Sequence, residues 1–253
     1  MAGVRPGGNY MEIIQVVPTF PPAVSGVGDY ALLLAEELRR RHNLHSRFIV
    51  GDPDWAGESE EQGFPVTKGT ARTPESLARL LNEQARAGLP VLLHYVGYGY
   101  EKRGCPLWLV KGVEQWRRAP GGRRMVTMFH ELYAFGPPWR SSFWTSPLQR
   151  RLTMRLAGMS DHCVTNIRRF ARYLESRLAP HSRRVNVLPV FSNVGEFYQP
   201  GPRRCNEMVI FGGAGWRESA YVNSKEALIK ICQALNINQI HDIGPRLSAR
   251  YEL

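Results

Sequence analysis

The sequence has only four cysteines, no long apolar run and no cluster of basic residues. The cysteines, Cys105, Cys163, Cys205 and Cys232, are scattered and never form a C-x-x-C pair, so we expect reduced thiols of a cytoplasmic protein and neither a disulfide framework nor a metal site. No segment approaches the ~18 consecutive apolar residues of a membrane-spanning helix. The first ten residues lack the apolar core of a secretory signal, and we predict a disordered arm at residues 1–10.

Acidic residues are in the minority, with 22 aspartates and glutamates against 33 lysines and arginines, a net charge of +11. This excess favours anionic partners such as phosphates, nucleic acid or an anionic lipid surface, although an ordinary basic soluble protein has the same balance. The sequence has no RNP-like aromatic pattern and no zinc-finger spacing, so we expect no nucleic-acid partner. The oligomeric state is left open.

Apolar segments with the pattern of buried strands alternate with segments of helical periodicity. The predicted strands are Met11–Val17, Ser46–Val50, Pro90–Val96, Arg124–Phe129, His162–Thr165, Val185–Val190, Met208–Gly213 and Gln239–Gly244. The predicted helices include one capped by Thr73, with Pro74 in its first position, and others at Leu107–Trp116, Pro147–Ala157, Ile167–Leu178 and Ser224–Leu235.

This alternation predicts an α/β fold, a Rossmann-like parallel sheet flanked by helices, over residues 11–190. Residues 191–207 are rich in glycine, proline and charge and are predicted to be a linker. Residues 208–253 then begin an incomplete second Rossmann-like unit, because they hold only two strands and one helical segment.

A glycine-rich turn follows the first strand. Gly26, Gly28 and Ala31 fit the G-x-G-x-x-G/A fingerprint of a dinucleotide site, and Asp52 lies near the expected ribose-binding position. However, residues 18–25 separate the strand from Gly26 and include three prolines, a loop too long and stiff for a tight dinucleotide turn. Either the backbone at Gly26 and Gly28 approaches some other phosphate at the helix start, or the glycines only permit a turn.

Six segments have an informative order and spacing. They are "EIIQVVP", "PPAVSGVGDYALLLAEELRRRH", "VTMFHELYA", "GMSDHCVTNIRRFARYL", "VNVLPVFSNVGE" and "MVIFGGAGWRESAY". Together they resemble the GT-B glycosyltransferases of family 4, and the resemblance covers about residues 11–244.

The resemblance implies two Rossmann-like domains, the first holding the acceptor and the second the nucleotide-sugar. It implies hexosyl transfer from a nucleotide-sugar to a carbohydrate or lipid-linked acceptor, without a metal or a resident cofactor. Members of the family continue well past the strand "QIHDIG", so we expect this chain to be the acceptor-side domain with a truncated start of the nucleotide-sugar domain. The alternatives are a non-catalytic binding module or remnant of such an enzyme and, less favoured, an NAD(P)-type oxidoreductase.

The resemblance places His130, at the end of a predicted strand, in contact with the substrate as a polar partner or proton acceptor; the alternative is a histidine hydrogen-bonded within a loop. Glu131 follows it and is a candidate to accept the acceptor's hydroxyl proton; a solvated glutamate is the alternative. Arg217 is expected to pair with the departing diphosphate, with Lys225 assisting as a point charge. The family's pattern is only partly met there, because Trp216 precedes the arginine.

Further substrate-binding candidates are Gly26, Gly28, Asn166 and Tyr98. Asn166 ends the strand "HCVT" near the expected cleft, and Tyr98 belongs to an aromatic and basic loop, residues 97–103, which either walls the acceptor pocket or lies on the surface. His94, inside a predicted strand, is expected to be a hydrogen-bonded core histidine.

Arginines are interleaved with apolar residues in "QRRLTMR" and "IRRFARYLESR". They form either a solvated face or a contact with anionic lipid, which would suit a lipid-linked acceptor. Trp139 and Trp144 are expected either to stack on a sugar ring or anchor at an interface, or to pack in the core or in a lid. We therefore expect a cytoplasmic location, with peripheral attachment to the inner face of the membrane as the alternative.

Overall fold

The structure is a computed structural model, and it describes residues 11–84, 88–178, 185–191 and 206–247. Contacts between residues divide the chain into two units, residues 1–194 and residues 195–253. The predicted arm at residues 1–10 and the greater part of the predicted linker, residues 192–205, lie outside the described residues.

The first unit alternates strands and helices along the chain. Its strands are β1 (Met11–Val17), β2 (Leu44–Val50), β3 (Glu60–Glu61), β4 (Phe64–Lys68), β5 (Val91–Tyr95), β6 (Met125–Phe129), β7 (His162–Thr165) and β8 (Asn186–Val187). Its helices are α1 (Gly26–His42), α2 (Pro74–Gln84), α3 (Gly97–Tyr100), α4 (Leu107–Arg118), α5 (Ser141–Met159) and α6 (Arg168–Glu175).

The strands form one sheet in the order β3-β4-β2-β1-β5-β6-β7-β8. Every neighbouring pair from β4 to β8 is parallel, and only the short β3 runs antiparallel to β4. The predicted α/β fold with a Rossmann-like parallel sheet is therefore confirmed. The chain moves outward from β1 to β4 and then returns to the other side of β1, so the strand order reverses between β1 and β5.

The two faces of the sheet are covered differently. All five residues of β5 are buried, as a central parallel strand requires. The larger core cluster includes side chains of α2, α4 and α5, while a second cluster lies beneath α1. Helix α2 packs against α4 at Gly112, where an added Cβ would lie 2.9 Å from the carbonyl oxygen of Pro74. The glycine therefore sets how closely these helices approach.

The helix boundaries follow their capping residues in two cases and depart from prediction in a third. Ser25 caps α1 by accepting from the Gly28 amide at 3.2 Å, and Thr73 caps α2 by accepting from the Ser76 amide at 3.2 Å. Helix α5, predicted to begin near Pro147, begins at Ser141. Pro147 has no N–H to donate to the Phe143 carbonyl four residues earlier. Both residues are exposed, so water can hydrate that carbonyl, and the helix tolerates the proline.

The second unit contains β9 (Glu207–Phe211), α7 (Ala214–Val222), α8 (Lys225–Ala234) and β10 (Gln239–Ile243), with β9 and β10 parallel. Helix α7 was not predicted, because the run of glycines before it is typical of a loop. Its inner face buries Arg217 and Tyr221. The strand predicted at Val185–Val190 is shorter than expected, with only Asn186 and Val187 paired to β7.

Candidate functional site

The candidate site lies at the carboxyl edge of the parallel sheet. His130 follows β6 directly, Asn166 follows β7 and the α3 turn follows β5, so segments far apart in sequence end at one edge. In sheets with this strand order, ligands bind outside the carboxyl ends of the strands, where the order reverses. Here the reversal falls between β1 and β5.

A chain of buried polar side chains crosses four neighbouring strands and ends at this edge. Ser46 accepts from Nε2 of Gln15 at 2.8 Å, Oε1 of Gln15 lies 2.7 Å from Nε2 of His94, and Nδ1 of His94 lies 3.1 Å from Nε2 of His130. Ser46, Gln15 and His94 are at most 1% exposed, and His130 is 9% exposed.

The strand register explains why these four residues share a face of the sheet. Gln15 lies opposite Leu92, two residues before His94, and His94 lies opposite Met128, two residues before His130. Because side chains alternate along a strand, residues two apart point the same way. The expectation that His94 is a hydrogen-bonded core residue is confirmed.

The hydrogen bonds assign one tautomer to each histidine. Gln15 uses its amide nitrogen for Ser46, so its oxygen accepts from Nε2–H of His94, whose Nδ1 then accepts from Nε2–H of His130. Burial lowers the pKa of His130 to about 4, and burial and then the neighbouring His130 hold the pKa of His94 well below its usual value. Both rings are neutral at pH 7, and no described residue hydrogen-bonds to Nδ1 of His130.

Tyr30 of α1 covers the two histidines. Its ring meets that of His130 edge-on at 5.2 Å and that of His94 at 6.1 Å, and it stacks on Phe191 at 4.4 Å. The hydroxyl of Tyr30 is buried without a hydrogen-bond partner among the described residues, and burial raises its pKa to about 12. The phenol is therefore neutral, and its ring shields the polar chain from water.

The structure brings together two of the predicted site residues. Nδ2 of Asn166 donates to the backbone oxygen of His130 at 3.1 Å, and the His130 amide donates to the Tyr95 carbonyl at 2.9 Å. Oδ1 of Asn166 is buried and has no partner among the described residues, an unusual state for a buried amide oxygen. Glu131, the next residue, is exposed at the same edge.

Gln149 of α5 ties the loops of this edge together. Its Oε1 accepts from the Ala134 amide at 2.7 Å, and its Nε2 donates to the Arg103 carbonyl at 2.9 Å and to the Tyr98 hydroxyl at 3.2 Å. Tyr98 keeps 42% of its surface exposed and belongs to α3 rather than to an irregular loop. Gln15, Ser46, Tyr30 and Gln149 were not predicted; for Gln15, the signal was a polar residue in the apolar run "MEIIQVV".

The two glycines of the turn differ in their surroundings. An added Cβ at Gly28 would lie 2.7 Å from the Thr19 carbonyl oxygen, whereas nothing lies within 4 Å of one at Gly26. The Gly28 amide donates to the Ser25 hydroxyl. Capping and close packing thus account for Gly28 without a phosphate, and a phosphate contact at either glycine stays a prediction.

Asp52 follows β2, but its carboxylate is engaged locally. Nη2 of Arg72 lies 3.0 Å from Oδ1 of Asp52, and the Asp54 amide donates to the same oxygen at 3.1 Å. A ribose hydroxyl would have to compete with Arg72, which argues against the dinucleotide site that the fingerprint suggested.

Arg217 and Lys225 belong to the second unit. Arg217 is 2% exposed and donates from Nε to the Gly212 carbonyl at 2.9 Å, from Nη1 to Asp242 and from Nη2 to the Pro245 carbonyl. Lys225 begins α8 and is exposed. A role for either residue toward a diphosphate stays a prediction.

Within the described ranges, no group of three or more histidine, cysteine, aspartate or glutamate residues is arranged to hold a metal ion. Cys105, Cys163 and Cys232 form no disulfide with another cysteine that the structure describes. Among the helices described, none combines the length and the apolar character needed to cross a bilayer.

Comparisons with known proteins identify no family for this chain. No family model matches the sequence, and neither does any curated protein. One similar solved structure is the UDP-glucose 4-epimerase of Thermus thermophilus in complex with NAD, with 15% identity and a TM-score of 0.37. The match covers 61% of this chain and 54% of that one, about half of the enzyme's length. A likeness this distant carries no argument about function, so the fold assignment rests on the chain's own strand order.

Proposed function

We propose that the chain is the acceptor-side part of an enzyme that transfers a sugar from a nucleotide-sugar to a hydroxyl group of a carbohydrate or lipid-linked acceptor. The observation that carries this proposal is the neutral His130 at the carboxyl edge of the sheet. Its Nε2–H is used by His94, and its Nδ1 is left as a hydrogen-bond acceptor. The order of sequence segments that resembles family 4 glycosyltransferases supports the same function.

In this reaction the acceptor's hydroxyl oxygen forms a bond to the anomeric carbon of the sugar. The bond from that carbon to the diphosphate oxygen breaks, and the nucleoside diphosphate leaves with the electron pair. Nδ1 of His130 accepts a hydrogen bond from the attacking hydroxyl and orients it. With a pKa of about 4, His130 is a weak base at neutral pH, so we assign proton acceptance to the exposed carboxylate of Glu131.

The leaving diphosphate needs positive charge as its bond breaks. Lys225 is exposed at the start of α8 and is the better candidate for direct contact, since the guanidinium of Arg217 is buried among three acceptors. Asn166 and Tyr98 are proposed as acceptor contacts. Asn166 presents beside His130 an amide oxygen that has no partner among the described residues, and Tyr98 is partly exposed on the α3 turn.

Calorimetry and release of nucleoside diphosphate test this proposal together. The protein is titrated with UDP-sugars, GDP-sugars and NAD, and His130→Gln is compared with His162→Gln, an exposed histidine of β7. We expect one class of nucleotide-sugar to bind, and His130→Gln to slow its turnover by roughly 10²-fold while His162→Gln does not. Binding of NAD would overturn the proposal, and binding of no nucleotide would favour a non-catalytic module.

A further inference from the structure

A second surface near the same edge is not used by the proposed reaction. Five large apolar side chains between β6 and the middle of α5 are exposed, and we call them the aromatic surface: Phe135, Trp139, Phe143, Trp144 and Leu148. Trp139 is 83% exposed and Trp144 is 72% exposed. Scattered exposed apolar residues need no explanation, but a cluster of aromatic rings on one segment marks an interaction site.

The aromatic surface is held in place by local hydrogen bonds and ring contacts. Nε1 of Trp144 donates to the Pro138 carbonyl at 2.8 Å, and the rings of Phe143 and Trp144 meet edge-on at 5.3 Å. The opposite face of α5 buries Leu152 and Leu156 in the core. The first two turns of α5 are therefore apolar on the outward face, where a surface helix is ordinarily polar.

The segment that carries the aromatic surface is rich in arginine and poor in acidic residues. Between Glu131 and Glu175 the sequence has seven arginines, no lysine and one acidic residue, Asp161, whose carboxylate pairs with Arg117. Arg169 of α6 lies over the Phe135 ring at 5.4 Å, which links a second helix to this surface.

Four of these arginines keep their charge available. In the part of the chain that the structure describes, no carboxylate forms an ion pair with Arg140, Arg150, Arg151 or Arg169. Nε of Arg150 is also buried, with no hydrogen-bond partner among the residues described, while its guanidinium lies over the Tyr133 ring at 4.4 Å. Unpaired guanidinium groups are suited to bind phosphate oxygens.

We propose that the aromatic surface docks on an anionic lipid bilayer. The tryptophan and phenylalanine rings enter the headgroup region, where amphipathic aromatic rings are favoured, and the arginines contact lipid phosphates. A second copy of this chain is a poorer occupant, because it would bring two basic surfaces together without carboxylates to pair them. Only four residues separate His130 from Phe135, so docking would bring the lipid surface close to the candidate site.

Vesicle co-sedimentation of the full chain tests this proposal without depending on sugar transfer. Vesicles of phosphatidylcholine alone are compared with vesicles containing about one third phosphatidylglycerol, at low and at high salt. We expect binding to the anionic vesicles only, weakened by salt. The double variant Trp139→Ala/Trp144→Ala is expected to bind at least about tenfold more weakly, and Arg140→Ala/Arg151→Ala likewise.

Matched control variants test whether the loss of vesicle binding is specific to the aromatic surface or follows from removing any exposed tryptophan or arginine. Trp216→Ala removes a tryptophan that is 84% exposed in the second unit, and Arg79→Ala/Arg118→Ala removes two exposed arginines of α2 and α4. Neither is expected to change binding by more than about twofold. Circular dichroism verifies that every variant is folded.

Three results would overturn the proposal. Equal binding to both kinds of vesicle would show that the arginines do not contribute to docking. If Trp139→Ala/Trp144→Ala weakened vesicle binding no more than Trp216→Ala does, the aromatic rings would not contribute either. A dimer in sedimentation velocity that disappears with Trp139→Ala/Trp144→Ala would identify the surface as a self-association site instead. Vesicle binding without nucleotide-sugar turnover would leave this proposal intact and count against the proposed function alone.

Discussion

Nδ1 of His94 lies 3.1 Å from Nε2 of His130, although 36 residues separate the two in sequence, and their rings are close to parallel at 23°. The contact is possible because β5 and β6 are parallel neighbours and both side chains stand on the face covered by Tyr30. Since His94 is held by Gln15, which donates to Ser46, the position of the His130 ring depends on residues from three strands, β5, β1 and β2.

The first prediction concerns the proton on His130. We expect nitrogen-15 NMR to show His130 protonated on Nε2 and unprotonated on Nδ1, and unchanged on acidification until the pH nears about 4. Gln15→Leu removes the acceptor that fixes His94, so the single tautomer of His130 should give way to a mixture. An unchanged His130 spectrum in Gln15→Leu would show that the polar chain does not set the tautomer.

The second prediction concerns acid stability. His130 has its pKa lowered from 6.5 to about 4 in the folded chain, so the unfolded chain binds more protons between these values. The contribution of neutral His130 to the free energy of unfolding is therefore complete above pH 6.5 and is lost as the pH falls toward about 4. The shift corresponds to about 3 kcal/mol for His130 alone.

Urea unfolding as a function of pH measures this loss. We expect the free energy of unfolding to fall steeply from pH 6.5 to about 4 in the wild type and less steeply in His130→Gln. Equal slopes in the two proteins would show that His130 titrates normally when folded.

The third prediction separates the two glycines of the turn. Gly28→Ala places a Cβ 2.7 Å from a backbone oxygen that cannot rotate away, so we expect a loss of about 1–3 kcal/mol in the free energy of unfolding. Gly26→Ala enters open space at the first position of α1 and should be neutral or stabilising by about 0.5 kcal/mol. Thermal or urea unfolding of the two variants checks the difference. Equal losses would contradict the packing role of Gly28.

The sequence predicted the central strands β1, β5 and β6 well because they are largely apolar runs with clear ends, whereas β3 and β4 were not predicted. It failed where the outcome depends on distant partners. Pro147 is compatible with a helix because the Phe143 carbonyl, which it cannot hydrogen-bond, is exposed. Helix α7 is stabilised by hydrogen bonds from Arg217 and Tyr221 to Asp242 of β10, which is distant in sequence. At the site, His130 and Asn166 were predicted from strand ends. The strand register was needed to place Gln15 beside His94 and Ser46 beside Gln15.

The fourth prediction concerns Gln149, which links the segments after β5 and β6 to α5. Gln149→Leu keeps a similar volume but leaves the Ala134 amide and the Arg103 carbonyl without their side-chain partner, and we expect a loss of about 2–3 kcal/mol. Gln115→Leu, on the exposed side of α4, should change stability by less than about 0.5 kcal/mol. Hydrogen exchange should also quicken at the Ala134 amide. Protection of that amide in Gln149→Leu equal to wild type would contradict the linking role.

The fifth prediction tests whether Arg217 is structural in the second unit. Its guanidinium joins the Gly212 carbonyl, the Asp242 carboxylate and the Pro245 carbonyl, and thus ties the end of β9 to β10 and the residues that follow. Arg217→Lys keeps the charge but has no planar fork for three acceptors, so we expect both Arg217→Lys and Arg217→Ala to lose about 2–3 kcal/mol. Hydrogen exchange at the Val209–Phe211 amides reads out this loss locally, and Lys230→Ala on exposed α8 is the control. If Arg217→Lys kept the wild-type protection of these amides while Arg217→Ala did not, the second unit would require the positive charge and not the hydrogen bonds to three acceptors.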